Sequence, residues 1–228
     1  LGDPVGFGDV GGYTRRSRTS GRGMDAIFFS MAANFTGIPM YRWLYDWSTA
    51  GGQRSFNLEE MYYGCYAVEG KKAQPDALIG VSPVLLDDGA LRWSARRSWK
   101  NDWVPRKGGR YFDKLTFRPS FDPRDEYLLI DGASTFSHGH YDGNTALRLS
   151  WKNHVWLFET DYIKLTPRYH NGVVVTRDGV QEEPAPLTIL DHAADFKTLG
   201  FSSSTSPDYN GADWTRSIFW KKGRYFLI

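Results

Sequence analysis

After Pro75 the chain is cut into short apolar runs, separated at close intervals by Gly, Asp and Asn, with no helical repeat between them. This texture narrows the fold more than any other feature. Runs of about four to eight residues, rich in β-branched and aromatic side chains, pack as strands. Many such runs in succession, joined by tight turns, make an antiparallel β-sandwich. Candidate strands are 111–117, 127–130, 145–151, 155–159, 172–176, 188–191, 216–220 and 225–228. A hairpin is also expected where Pro83-Val84-Leu85-Leu86 runs through Asp87-Asp88-Gly89 into Ala90-Leu91-Arg92-Trp93.

The part before Pro75 has another period. Ile27, Phe28, Met31, Ala32 and Phe35 recur at helical spacing, and Met40, Trp43, Leu44 and Trp47 resume it after Gly37-Ile38-Pro39. Proline lacks an amide hydrogen and crowds the preceding turn, so the segment reads as two short helices or one broken helix. A third helical stretch over 58–66 is expected as core packing. Residues 1–23, glycine-rich and then basic at Arg15, Arg16, Arg18 and Arg22, read as a solvated loop. The fold class is therefore mainly β, an antiparallel β-sandwich preceded by a short α-helical segment, with the boundary near 70–80. The chain opens without a basic–apolar leader and ends on an apolar run, Arg224-Tyr225-Phe226-Leu227-Ile228, which leads us to expect an excerpt of a larger protein, cut at both ends.

Composition excludes several classes. Twenty-eight basic against 26 acidic residues leave a net charge of +2, too little for the field of a typical nucleic-acid binder. No apolar stretch approaches the ~20 residues of a membrane span. The single cysteine, Cys65, excludes an internal disulfide framework and a multi-cysteine zinc site. An aromatic content of 16% is common in carbohydrate-handling β proteins and specific to none.

Four of the five histidines lie between positions 138 and 170. In His138-Gly139-His140-Tyr141-Asp142, three ligand-capable side chains alternate, so in extended backbone they share one face. If 145–151 turns at Lys152-Asn153 into 154–159, Leu147 faces Phe158, Leu149 faces Trp156 and Trp151 faces His154. That face is apolar and reads as the core side. The other face carries Ala146, Arg148, Ser150, Val155, Leu157 and Glu159, and without a bulge it continues back to His138, His140 and Asp142. Pro167-Arg168-Tyr169 makes a turn that returns His170 to the open end of the hairpin. Two imidazoles and a carboxylate with a fourth position open form a zinc ligand set. Blander accounts compete: Glu159 pairs diagonally with Arg148, His154 is a core-edge histidine, and Asp161 is an alternative ligand on the face of Glu159.

Three stretches, taken together, resemble the β-sandwich portion of the heparinase II/III-like polysaccharide lyases, a group that includes related alginate lyases. They are Ser137-His138-Gly139-His140-Tyr141-Asp142-Gly143-Asn144, Val155-Trp156-Leu157-Phe158-Glu159, and Arg168-Tyr169-His170-Asn171-Gly172-Val173-Val174-Val175. The resemblance covers 80–228, and Gly6-Phe7-Gly8-Asp9 with the helices after it is similar to the last piece of the family's helical (α/α) toroid. It implies two domains, a toroid remnant at 1–75 and a sandwich at 76–228. It also implies a secreted or periplasmic lyase that cleaves uronic-acid-containing polysaccharide, such as a glycosaminoglycan or alginate, by β-elimination. His138 would be the catalytic histidine, and His140, Glu159 and His170 would hold a structural zinc ion. Arg168 would pair with a carboxylate of the site or substrate. The partners implied are the acidic polysaccharide and an N-terminal toroid that completes the site, since the family's tyrosine acid/base matches no position here. Two departures stand out: the acidic ligand is usually Asp rather than Glu159, and Thr usually stands where this chain has Gly172.

Two other functions fit the residues. One is a carbohydrate-binding or structural β-sandwich with a stabilising metal and no catalysis. The other is a hydrolase using paired carboxylates, for which Asp122, Asp125 and Glu126 are the candidates, although they read as solvated turn residues.

Overall fold

The computed structural model describes residues 21–49, 71–75, 79–84, 103–122, 124–134, 140–159, 166–181 and 184–228. The chain divides into two compact units, one spanning residues 14–77 and the other the β part from residue 78 onward together with 1–13. In the first unit, helix α1 (Gly21–Thr36) and helix α2 (Pro39–Thr49) pack together. The break falls at Gly37-Ile38. Gly37 takes φ +66°, donates back to the Ala33 carbonyl, and so closes α1 in the left-handed conformation that glycine adopts most cheaply. Pro39 then opens α2, where its missing amide hydrogen costs nothing. Phe28 meets Phe29 and Tyr41 edge-on, and Trp43 stacks on Trp47. The expected helix at 58–66 and hairpin at 83–93 fall largely outside the described residues. Among those described, no helix is long and apolar enough to cross a membrane.

The second unit is mainly β and antiparallel. Its strands are β1 (Ile79–Pro83), β2 (Tyr111–Phe117), β3 (Tyr127–Asp131), β4 (Thr145–Trp151), β5 (His154–Phe158), β6 (Thr176–Arg177), β7 (Val180–Gln181), β8 (Thr188–Asp195), β9 (Leu199–Tyr209), β10 (Ala212–Lys221) and β11 (Tyr225–Leu227). Nine of them form a continuous sheet in the order β11-β10-β9-β8-β2-β3-β4-β5, with β1 added on β2; β6 and β7 make a separate small hairpin. The two layers of the sandwich come from this one sheet curling back on itself. Ile218 and Trp220 of β10 join Phe112, Leu115 and Phe117 of β2, Leu128 and Ile130 of β3, Ala146 of β4 and Leu190 of β8 in a single buried core. Trp220 is central: its ring stacks on Phe226 and meets Phe117 edge-on, while its indole N–H donates to the Glu126 carboxylate.

Three features depart from the pattern read in the sequence. First, β9 is an 11-residue strand in a Leu-Gly-Phe-Ser-Ser-Ser-Thr-Ser stretch that has too few apolar residues to announce itself. Its Ser202, Ser204 and Ser206 are buried all the same. Second, the β-branched run Val173-Val174-Val175 is not a strand; Val173 and Val174 are exposed, and only Thr176 begins a short ladder. Third, the hairpin starts as expected, with Trp151 opposite His154 and Ser150 opposite Val155, around a turn whose Lys152 and Asn153 take φ +51° and +61°. It then slips by one residue, so Leu149 faces Leu157 and Arg148 faces Phe158. A second slip between β3 and β4 sets Leu129 opposite Arg148 but Ile130 opposite Ala146. Each extra residue turns the strand over. Leu149 and Leu157 pack on the core, whereas Trp156, expected inside, is 66% exposed and Phe158 and His154 also face outward.

Candidate functional site

Two connections build the site. The first joins β3 to β4 and carries His140 and Asp142. Its base is pinched shut where the Asn144 N–H donates to the Asp131 carbonyl and the Thr145 N–H to the Asp142 carbonyl. Ser134 braces it from within, donating its N–H to the Pro186 carbonyl and accepting from the Gly143 N–H. The second connection follows β5. A 3-10 turn, Pro167–Tyr169, ends where the His170 N–H donates to the Pro167 carbonyl, which sets the histidine at the start of extended backbone.

These connections bring His140, Asp142 and His170 together, with one ligand atom from each lying within 4.8 Å of the others. His140 and Asp142 are each 2% exposed, and the His170 side chain is fully buried. The imidazole centroids are 5.0 Å apart. Glu159 stands behind His170: its Oε1 lies 2.9 Å from His170 Nδ1, and its Oε2 accepts from the Asn171 N–H at 3.1 Å. Glu159 thus bonds to His170 and Asn171 rather than to Arg148. Asn171 donates its side-chain amide to the carbonyls of Ala146 and Phe158, tying the second connection to the hairpin.

The electrostatics favour a cation. Burial pushes the Asp142 carboxyl well above the usual carboxylate range, and the nearby Asp131 and Glu159 charges push it further. Asp131, also buried, is raised to about 6 even though Lys114 Nζ lies 2.9 Å from its Oδ1. Two imidazoles and a carboxylate, buried and convergent, fit a divalent transition metal. A histidine whose Nδ1 bonds a carboxylate has its tautomer fixed and its Nε2 left for coordination.

The other residues singled out from the sequence are placed as follows. His138 and Asp161 lie outside the described residues. Arg168 is exposed, its guanidinium over the Tyr169 ring. At Gly172, a β-carbon would sit 2.8 Å from Thr145 Cγ2, so the chain passes β4 more closely than a larger residue permits. The three acids put forward for a hydrolase each serve a local structure. Asp122 pairs with Arg124, which holds its carboxyl down at about 2, and Asp125 accepts from the Ser120 hydroxyl. Glu126, read as a solvated turn residue, is buried under Trp220 and also accepts from the Gly223 N–H. Periodicity set Asp142 on the histidine face without choosing it over Glu159; it lies beside the two imidazoles in a connection pinched at Asn144, a closure that no spacing rule encodes.

No family model matches the chain, and no curated protein matches it. Among solved structures it is similar to a heparan sulfate lyase, HepC, from Pedobacter heparinus, with a TM-score of 0.52 and 15% identity over 99% of this chain. A heparinase III gene product gives a TM-score of 0.49 and 13% identity over 90% of this chain. The chain spans 29% and 26% of the lengths of those two proteins. At such identities the likeness is one of fold, and the fold is heparinase-like.

Proposed function

We propose that this chain is the β portion of a polysaccharide lyase acting on a uronic-acid-containing polysaccharide. In this reading residues 1–75 close a helical toroid, residues 76–228 form the sandwich, and the protein works in the periplasm or outside the cell. The observation that carries the proposal is the buried convergence of His140, Asp142 and His170 in a heparinase-like fold, two residues beyond His138. Zinc suits this donor set. Its ligands would be His140, His170 and Asp142, with Glu159 orienting His170; the sequence reading gave the carboxylate position to Glu159 instead. When bound, the ion supplies structural cross-linking of the two connections.

The chemistry falls to His138. In β-elimination a base removes the proton at C5 of the uronate, the C4–O4 bond breaks, O4 leaves as a hydroxyl after protonation, and a C4=C5 double bond remains. In this reading His138 takes the C5 proton, or relays it. Arg168, exposed beside the Tyr169 ring, pairs with a uronate carboxylate of the substrate. The conjugated product absorbs in the ultraviolet, which provides the test. His138→Ala in the full-length protein is expected to abolish that absorbance while leaving bound zinc unchanged. A mutant as active as its parent would reject the catalytic role of His138, whereas a full-length parent that forms no unsaturated product would favour a non-catalytic carbohydrate-binding module.

A further inference from the structure

The two connections that meet at the candidate metal centre share a third attachment, on a strand distant in sequence. Arg216, on β10, donates from Nε to the Asn144 carbonyl at 2.9 Å and from Nη2 to the Asn171 carbonyl at 3.0 Å. Asn144 follows Asp142 by two residues, and Asn171 follows His170 directly. One planar fork therefore spans both connections. Burial lowers the pKa of the guanidinium, and the acceptors its hydrogen bonds reach are neutral carbonyls. Asn144 is itself fixed: fully buried at φ +65°, it gives its side-chain amide to the Ser204 carbonyl and takes the Ser204 hydroxyl at 2.6 Å. On the other side, Arg216 lies over the Trp214 ring, whose edge comes close to Gly172.

We infer that Arg216 is a positioning residue of this centre, its two donors setting the separation of the connection that carries His140 and Asp142 from the one that carries His170. A partly buried cation loses some of its hydration, a cost to set against bonding two neutral carbonyls unless their relative placement matters. The rigid fork of arginine reaches both acceptors at fixed separation, which the point-like ammonium of lysine does not reproduce. This inference rests on the metal reading of the site proposed above.

The test uses the full-length protein, with zinc affinity measured by chelator competition, the ligand-field spectrum of the cobalt(II)-substituted protein, and the melting midpoint of the metal-free protein. Arg216→Met is expected to weaken zinc binding about 10- to 100-fold, the range for residues that orient ligands, and to alter the cobalt spectrum. Arg216→Lys should not restore either. A lowered metal-free midpoint with unchanged zinc affinity and cobalt spectrum makes Arg216 a fold stabiliser only and overturns the inference, as does full recovery by lysine. If Arg216→Met fails to fold, Ser204→Ala decides: loss of the hydroxyl that holds Asn144 should weaken zinc severalfold, and no change overturns the inference. A parent chain that binds no zinc overturns the metal reading and this inference with it, whereas unchanged affinity in Arg216→Met against a zinc-binding parent overturns the inference alone.

Discussion

Asp131, Asp142 and Glu159 gather three carboxylates in the buried surroundings of two imidazoles. Burial raises Asp131 from its ordinary value of 3.8 to about 6, so between those pH values the folded protein holds a proton that the unfolded chain has released. The stability this group contributes is therefore complete below about pH 4 and is lost as pH rises through 6. In chelator-treated protein, Asp131→Asn should remove that loss, so its denaturation midpoint gains on the parent between pH 4 and pH 7. At this scale the sequence was half informative. His140 and His170 were legible because imidazoles are scarce and these two belong to a cluster. The different placements of Asp142 and Glu159 were not, because they turn on which carboxylate meets an imidazole nitrogen, and alternation along a strand does not resolve distances that small.

Strands with aromatic and β-branched side chains, such as β2 and β4, were legible to the residue. Two kinds of element were not. β9 buries serines, whose small side chains fit beneath the facing layer but give no apolar signal, and Val173-Val174-Val175 has the composition of a strand but pairs with no strand among the described residues. The slips that turn β4 and β5 over involve Leu147 and Trp156, neither of them a glycine that would mark a bulge. The turn between these strands makes a test. Both of its central residues take positive φ, as a type I′ turn requires, and glycine is preferred at the second. Asn153→Gly should raise stability by about 0.5 kcal/mol in chemical denaturation, small because asparagine already tolerates this conformation. Trp220→Ala should do far more harm, about 3–5 kcal/mol, because it empties the centre of the core and strips Glu126 of a donor.

The sheet as a whole reaches from β5 round to β11 and folds its second half over its first, so the core and the candidate metal centre both depend on that overlap. If zinc cross-links the two connections, removing it with a chelator should lower the melting midpoint, and adding excess zinc should raise it with concentration, as expected of a ligand that binds the folded state. The overlap also sets an order of events. The side chains that converge on the centre are near neighbours in sequence, whereas Ser204 and Arg216, which secure their loops, lie 60 and 72 positions beyond Asn144. Contacts of such span form late in folding. Zinc supplied at the start of refolding should therefore be exchanged freely with a chelator during the early phase and become slow to leave only after β9 and β10 have docked, so the moment of metal retention timestamps closure of the sheet.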